Sequence, residues 1–266
     1  MQKDKNIGGK LMTENMEGTP LVSADYSVSL PPIVTDTDSF HSRGEEALVQ
    51  RYSRQPKLRE DLVFEFTRDP ALLHQYYRIY EKECRVITHI PGFREAEKEY
   101  NRKGHIVVAR IGNLCIGGAR LSVRTPRQTK PLPMEMNGFN LHKHFPQLEQ
   151  KQMRYGELSR LVLLPEFRDG DIARRMFVHL YRKAAALGLD IGFAAAPLLN
   201  IRAYRLSFMA LGLRESDIHF DIEVPPYPGF EEVKDYLLSL VVDKSLVKDE
   251  DLAAYKQDKV SFKEEV

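Results

Sequence analysis

The stretch YGELSRLVLLPEFRDGDIARRMFVHLYRKAAALGL, from Tyr155 to Leu189, decides the fold. It begins with a short apolar strand that ends at Pro165, continues through a turn flanked by arginines, and then forms an amphipathic helix. The helix buries one face against a sheet, because its apolar residues follow the helical period: Ile172, Met176, Phe177, Leu180, Ala184 and Leu187. A helix start offers unpaired backbone N–H groups and a partial positive charge. This order therefore favours, weakly, a site for the phosphates or polar arm of a ligand.

Composition narrows the class of protein. A chain of 266 residues with 42% hydrophobic content can bury a core, and one domain with tails fits it better than one large domain. The 39 basic and 38 acidic side chains leave a formal charge of +1, which predicts no binding of nucleic acid or membrane by bulk charge. Two cysteines without CxxC spacing, an N-terminus without an apolar signal region and no long apolar run predict a cytoplasmic protein without a membrane span. The scattered histidines, with His142 and His144 the closest pair, predict no metal site.

Three segments follow from the pattern along the chain. Residues 1–57 are rich in Thr, Ser, Asp, Gly and Pro and are interpreted as an extension that is partly disordered or packs late. Residues 58–225 form the predicted domain. Residues 226–266 are interpreted as a C-terminal helical extension, in which PGFEEVKDYLLSLVV predicts one amphipathic helix and the charged segment after Asp243 predicts another helix or a frayed tail.

Strand and helix patterns alternate within residues 58–225. LVFEFT predicts a strand, ALLHQYYRIYEKECRVI a helix, and the segments on either side of Asn113 an antiparallel hairpin. A short helix around FNLHKHFPQLEQ precedes the central stretch. Strand DIGFAAAP, a helix from Leu199 to Leu211 and strand IHFDIEV follow it. The predicted fold class is α/β (α+β), with a mixed sheet flanked by helices.

Charged residues bracket the strand in ELSRLVL. The two-residue repeat places Glu157, Ser159 and Leu161 on one side, and Leu158, Arg160 and Val162 on the other. Two interpretations stay open at this point. Glu157 and Arg160 cap the sheet through ordinary ion pairs, or they belong to an active site.

The order of elements resembles the GNAT superfamily of acyltransferases, on the residues Pro165, Arg168, Asn200, Ala203 and Gly212. A closer resemblance is to the acyl-homoserine-lactone (autoinducer) synthases and the long-chain N-acyl amino acid synthases. It is carried by GGARLSVRTP at Gly117 to Pro126, HFPQL at His144 to Leu148, and ELSR at Glu157 to Arg160. The resemblance spans roughly Leu62 to Gly212. It implies a GNAT-like fold with a mostly antiparallel sheet and N- and C-terminal extensions.

The resemblance also implies an activity and a set of site residues. The protein is expected to transfer a long-chain acyl group from an acyl carrier protein or coenzyme A thioester to the amine of a small acceptor, with no tightly bound cofactor. Glu157 is expected to help deprotonate the amine, while Arg160 and Arg120 shape the site. Arg78, with Arg85 as a competitor, and Glu99 are expected on the acceptor side. The residues expected on the donor side are Leu163, Arg168, Ala173, Arg174 and Asn200.

The chemistry of the reaction supports these roles. An amine must lose a proton before it attacks a thioester carbonyl, so a carboxylate acting through water is a suitable base. Backbone N–H groups at a bulge just after ELSR, helped by the hydroxyl of Ser159, can bind the oxyanion. A cysteine or serine nucleophile with a paired histidine is not evident, which favours direct attack over an acyl-enzyme.

Several positions depart from the families. Asp171 stands where GNAT enzymes carry a glycine, and we interpret it as a helix N-cap. Arg168, Arg174, Arg175 and Arg182 suit the acidic surface of an acyl carrier protein, or equally form a solvated helix face. The paired aspartates of the synthases are replaced within EAEKEYN, where Lys98 and Asn101 occupy the expected places, and the chain has no tryptophan. S-adenosylmethionine is therefore disfavoured as the acceptor.

Further expectations concern two aromatic residues, the segment FAAAPLL and the alternative functions. Phe208 and Tyr204 are interpreted as core aromatics. The small residues of FAAAPLL leave room for an acyl chain or permit close helix packing. The alternatives to the main hypothesis are an acetyl-coenzyme A-dependent N-acetyltransferase and a non-catalytic module that binds an acyl chain or an acyl carrier protein.

Overall fold

The computed structural model describes residues 61–83, 93–128, 130–168, 171–226 and 232–263. The predicted extension of residues 1–57 lies outside these residues, as does the alternative arginine Arg85. Within the described residues no helix is both long enough and apolar enough to cross a membrane.

An eight-stranded sheet forms the centre of the protein, in the order β6-β7-β5-β4-β3-β2-β1-β8. Only β4 and β5 pair in parallel among these strands, and the other neighbouring pairs are antiparallel. The predicted mixed, mostly antiparallel sheet is therefore confirmed. The strands are β1 (Leu62–Phe66), β2 (His105–Ile111), β3 (Leu114–Arg124), β4 (Tyr155–Leu163), β5 (Ile191–Pro197), β6 (Ile218–Val224), β7 (Asp235–Val241) and β8 (Val260–Lys263).

Helices cover both faces of the sheet. They are α1 (Pro70–Glu83), α2 (Phe93–Lys103), α3 (Leu141–His144), α4 (Gln147–Gln150), α5 (Asp171–Ala186), α6 (Leu198–Leu211) and α7 (Asp249–Tyr255). Short 3-10 helices span Pro133–Asn137, Pro165–Phe167, Glu215–Asp217 and Lys244–Leu246. The helix predicted around FNLHKHFPQLEQ is in fact two short helices, α3 and α4, because Pro146 separates them.

Two glycines show which helix covers which face. A methyl group on Gly118 of β3 would come within 2.6 Å of the Tyr76 ring, so α1 packs closely on that face. A methyl group on Gly156 of β4 would meet Leu189, just beyond the end of α5. Gly156 and Glu157 point to opposite faces of β4. The helix face predicted for α5 is confirmed as far as Ala184, since Ile172, Met176, Phe177, Leu180 and Ala184 are all buried. Leu187, the last residue of the predicted face, lies beyond the end of α5 and is partly buried.

The helical interpretation of PGFEEVKDYLLSLVV is wrong. Residues Asp235–Val241 form β7, which lies between β5 and β6, and Val260–Lys263 form β8 beside β1. The buried run Leu237–Leu240 is apolar apart from Ser239 and shows little alternation, because a strand inside the sheet is covered on both faces. A short apolar run of this kind does not distinguish strand from helix. The second helix predicted after Asp243 is confirmed as α7.

Candidate active site

The strands β4 and β5 diverge along their length. They pair at three positions only, where Tyr155, Gly156 and Glu157 face Ile191, Gly192 and Phe193. Beyond Glu157, β4 continues to Leu163 and β5 continues to Pro197 without pairing between them. We call the space between these unpaired segments the wedge. Backbone groups on its two edges have no partner in the ladder and are available to a ligand.

A β-bulge lies on the β4 side of the wedge. Gly118 of β3 faces Val162 and Arg120 faces Ser159, so Arg160 and Leu161 together oppose a single residue. Arg160 has a φ of 59°, in the left-handed region that non-glycine residues rarely adopt. The hydroxyl of Tyr76 in α1 donates to the carbonyl oxygen of Arg160 over 2.9 Å. The bulge predicted as an oxyanion-binding element just after ELSR is thus present in the fold.

The bulge also corrects the predicted alternation of β4. Directly opposed residues share a face of the sheet. Arg120 faces Ser159, and Gly118, on the same face as Arg120, is opposite Val162. The alternation therefore holds as far as Ser159 and is wrong beyond it, because the extra residue shifts Val162 to the side of Ser159.

Glu157 lies at the apex of the wedge, as the last residue of β4 that pairs with β5. It is only 3% exposed, and its Oε2 accepts a hydrogen bond of 2.8 Å from the backbone N–H of Met134. Its opposite residue on the neighbouring strand β3 is Ser122. The carboxylate is therefore held in one orientation inside the protein, and does not point to open solvent.

Ser159 and Arg160 border the wedge immediately after Glu157. The hydroxyl oxygen of Ser159 is buried and has no hydrogen-bonding partner among the described residues. The guanidinium carbon of Arg160 lies 5.4 Å from the centroid of the Tyr80 ring. A buried hydroxyl without a hydrogen-bonding partner lowers the stability of the fold, so the Ser159 hydroxyl is a candidate to hydrogen-bond a ligand.

Arg120 is fully buried beside Ser159. Its Nη1 donates to Oδ1 of Asn101 over 2.7 Å, and its guanidinium carbon lies 5.6 Å from the centroid of the Tyr100 ring. The structure thus brings Arg120, Ser159 and Glu157 to one face of two adjacent strands.

The other two residues expected on the acceptor side are placed differently. Glu99 accepts hydrogen bonds from Lys130 at 2.5 Å and from Lys103 at 2.9 Å, and these bonds lower the pKa of Glu99 to about 2. Arg78 is exposed on α1 two residues after Tyr76. Because two residues of a helix are about 200° apart around its axis, Arg78 points away from the strand that Tyr76 contacts.

Residues on the donor side surround the turn between β4 and α5. Arg168 donates through Nε to the carbonyl oxygen of Leu163 at 3.1 Å, and its Nη2 pairs with Glu83. Asp171, the first residue of α5, pairs with Arg174 at 2.8 Å and with Arg175 at 2.7 Å. Two cations therefore offset the carboxylate that stands in place of a glycine.

The remaining donor-side residues differ in exposure. Ala173 packs partly buried against the main core, and Asn200 is exposed in the first turn of α6. Of the arginines proposed for an acyl carrier protein, Arg168 and Arg174 are each 49% exposed at the side chain. Arg182 is partly buried, with its Nε in the interior.

Comparison with known proteins assigns the fold. Neither a family model nor a curated protein matches the sequence. Among solved structures, FeeM, an N-acyl amino acid synthase from uncultured soil microbes, aligns with a TM-score of 0.50 and 11% identity, over 68% of this chain and 91% of that chain. The chain has the GNAT acyltransferase fold. At this identity the likeness concerns the fold alone.

Two further structures align less closely with this GNAT fold. A protein of the yellow fever mosquito, described as an arylalkylamine N-acetyltransferase, has a TM-score of 0.48 and 13% identity, over 68% of this chain and 88% of that chain. A protein of Lactobacillus plantarum, described as an N-acetyltransferase, has a TM-score of 0.45 and 13% identity, over 68% of this chain and 99% of that chain.

The aromatic residues of α6 belong to the core of the GNAT fold, as predicted. Phe208 is fully buried, and the Tyr204 ring lies 4.0 Å from the Phe177 ring, centroid to centroid. Burial raises the pKa of Tyr204 to about 12. Both side chains thus stabilise the packing of α6 on α5.

The closest histidine pair also makes structural contacts. Nε2 of His142 lies 3.1 Å from the Tyr155 hydroxyl, and His144 stacks on Phe139. In the described part of the chain, no group of three or more histidine, cysteine and carboxylate side chains is placed to bind a metal ion.

Sequence reasoning missed three residues of the candidate site: Tyr76, Ser122 and Met134. Tyr76 belongs to the buried stripe of α1 with Leu72 and Ile79, and reads as a core residue. Met134 contributes its backbone N–H, which no side-chain pattern reveals. The alternation of β3 places Ser122 on the face of Arg120, and this was the one available signal.

Proposed function

We propose that this protein is an N-acyltransferase, which transfers a long-chain acyl group from an acyl carrier protein or coenzyme A thioester to the amine of a small acceptor such as an amino acid or autoinducer precursor. The observation that carries the proposal is the wedge between β4 and β5, with a buried carboxylate at its apex and a bulge along one edge. The two strand edges can hold an extended thioester arm, as a sheet edge holds an added peptide strand.

The donor enters the wedge with its acyl chain towards β5. That strand carries Ala194, Ala195 and Ala196, whose short side chains occupy less room on the two faces of the sheet than larger residues would. Arg168, just before α5, and Arg174, in its first turn, are both half-exposed and meet the phosphate or the acidic carrier that brings the thioester. Leu163, Ala173 and Asn200 complete this end of the donor site.

Glu157 acts as the base for the acceptor amine. The N–H of Met134 fixes the carboxylate, which takes the proton from the ammonium form of the acceptor through a water molecule. The amine nitrogen then bonds to the thioester carbonyl carbon. The attacking nitrogen then loses a second proton, the C–S bond breaks as the tetrahedral intermediate collapses, and the leaving thiolate takes up that proton.

The bulge stabilises the oxyanion that forms during this step. Backbone N–H groups between Arg160 and Val162 stand out of the regular ladder, and donors fixed before the reaction are the most effective. The Ser159 hydroxyl, buried without a partner in the described structure, supplies a further donor or relays the proton from the attacking nitrogen to the leaving thiolate. Arg120 and Arg160 set the positive potential around the same point.

Thiol release tests the proposal. The purified full chain is given acetyl, medium-chain and long-chain thioesters of coenzyme A and of acyl carrier protein, each with a panel of amines, and free thiol is followed with a chromogenic disulfide. We expect release that depends on the amine and increases with chain length. Preference for acetyl-coenzyme A would instead identify an acetyltransferase. If no combination of thioester and amine releases thiol above background, the protein is a non-catalytic binding module.

The variant Glu157→Gln tests the base. It keeps the shape of the side chain and the contact with Met134, so we expect kcat to fall by about 10²- to 10⁴-fold while donor affinity changes little. Glu65→Gln is the matched control, because Glu65 is also a buried carboxylate, 4% exposed, paired with Arg110 on β2 and away from the wedge. Equal losses of activity in both variants would indicate structural damage rather than catalysis.

A further inference from the structure

A cavity of about 480 Å³ lies at the end of the sheet where β2 begins and β3 ends. It differs from the wedge, which opens towards the other end of β4. Its lining holds four cationic side chains, Lys103, Arg127, Lys130 and Arg154, and one carboxylate, Glu99. Four positive charges against one negative charge leave the lining at +3.

The cations of this basic cavity are only partly compensated. Lys103 and Lys130 share the single carboxylate of Glu99. The guanidinium groups of Arg127 and Arg154 have no side-chain partner among the described residues. His105 also lines the cavity, but burial lowers the pKa of His105 to about 4, with Lys183 and Arg68 acting in the same direction, so it adds no charge at neutral pH.

Ser122 connects the basic cavity with the proposed base. It is 5% exposed, lines the cavity, and its hydroxyl oxygen has no hydrogen-bonding partner within the described ranges. Ser122 faces Glu157 across β3 and β4 on the same face of the sheet, where opposed Cβ atoms lie about 4.5–5.5 Å apart. Leu132, another lining residue, is two positions from Met134, which binds Glu157.

We propose that the basic cavity binds the anionic part of the acceptor, and that the acceptor is an amine carrying two negative charges, either as a phosphate monoester or as two carboxylates. The inference rests on the proposed acyltransferase function. A lining charge of +3 exceeds what one carboxylate neutralises, and it repels a cationic acceptor. The volume is within the range of small-molecule sites, and Ser122 completes its hydrogen bonds by donating to the anion.

Binding can be measured without turnover. Isothermal titration calorimetry of the full chain at constant ionic strength compares O-phosphoethanolamine, aspartate, glycine and ethanolamine. We expect the dianionic amines to bind at least about tenfold more tightly than ethanolamine, since each charge-assisted hydrogen bond contributes roughly a factor of ten. The stronger of the two dianionic ligands identifies phosphate or dicarboxylate as the anionic group.

Variants locate the binding. Arg127→Gln and Arg154→Gln each remove a guanidinium that has no side-chain partner, and each is expected to weaken the dianionic ligands about tenfold. Ser122→Ala removes the buried hydroxyl with little change in volume and should weaken them as well. Arg102→Gln is the matched control, because Arg102 is exposed on α2 next to Lys103 and does not line the cavity. An equal effect of Arg102→Gln would show bulk charge only and would overturn the assignment.

Transfer assays separate this inference from the proposed function. Acylation of a dianionic amine in preference to ethanolamine, lost in Arg154→Gln, supports both. Acylation of ethanolamine at an equal or higher rate, with no tighter binding of dianionic amines, overturns the inference and leaves the function intact. Tight and cavity-dependent binding without thiol release from any donor supports an anion site but contradicts the function.

Discussion

Removal of the Tyr76 hydroxyl tests whether the bulge matters for catalysis. Tyr76 is 2% exposed, and its hydroxyl donates to the carbonyl oxygen of Arg160, the residue with a left-handed backbone. Tyr76→Phe keeps the ring that packs on Gly118 and deletes this hydrogen bond. The bulge then loses one of its contacts with α1 and keeps the contact between Arg160 and Tyr80.

The expected size follows from that single bond. A lost hydrogen bond that leaves a buried carbonyl oxygen unsatisfied lowers the free energy of unfolding by about 1–3 kcal/mol. For a domain of this size, each kcal/mol lowers Tm by about 2–4 °C. Loss of a fully positioned oxyanion donor costs about 10²- to 10³-fold in kcat. Displacement of the bulge should cost less, about tenfold, with little change in KM.

The assay compares kcat, KM and Tm of Tyr76→Phe with those of Tyr181→Phe. Tyr181 is also fully buried and accepts a hydrogen bond of 2.8 Å from the backbone N–H of Asp243, which follows β7 on the outer side of β5. We expect both variants to lose stability and only Tyr76→Phe to lose kcat. The reasoning is refuted if Tyr76→Phe is destabilised and retains full kcat, or if both variants lose activity alike.

Two further predictions concern buried ionisable groups. Burial lowers the pKa of Lys183 from 10.5 to about 8, so between these values the unfolded chain binds more protons than the folded chain and the free energy of unfolding rises with pH. Urea unfolding at pH 8 and pH 10 should show this rise in the wild type and a smaller rise in Lys183→Met, and an equal rise in both proteins would contradict the prediction. Burial raises the pKa of Cys115, which is fully buried, to about 12. In a Cys84→Ser variant, the Cys115 thiol should react with Ellman's reagent only after denaturation, and rapid reaction in the folded protein would disprove its burial.

Much of the architecture could be predicted because its elements carry local signals. The stretch from Tyr155 to Leu189 shows a strand, a turn and a helix whose apolar stripe is buried as the period requires. The hairpin around Asn113 is equally explicit, with Gly112 at a φ of 58° in the turn. Patterns of this kind depend only on residues that are close in sequence, so the strand, turn and helix can be predicted without knowledge of the rest of the chain.

The site was harder to predict, because its geometry depends on contacts distant in sequence. Arg160 adopts a left-handed conformation without being glycine or asparagine, so the exact position of the bulge is not encoded in its residue type. Tyr76 holds it from 84 residues away. The roles of Glu157, Ser159, Arg120, Arg78 and Glu99 remain predictions, although the structure places the first three together.

The segment Asp235–Val241, predicted as part of a helix and found as β7, determines the geometry of the wedge. All seven residues of β5, from Ile191 to Pro197, pair with β7, whereas only three pair with β4. The outer edge of β5 is therefore paired along its whole length, and β5 cannot move towards β4 independently of β7. The wedge follows from this asymmetry in pairing rather than from a movement that a ligand must induce. Had Asp235–Val241 been a helix, β5 would have lost its second neighbour, and nothing in the ladder would have kept it from closing on β4.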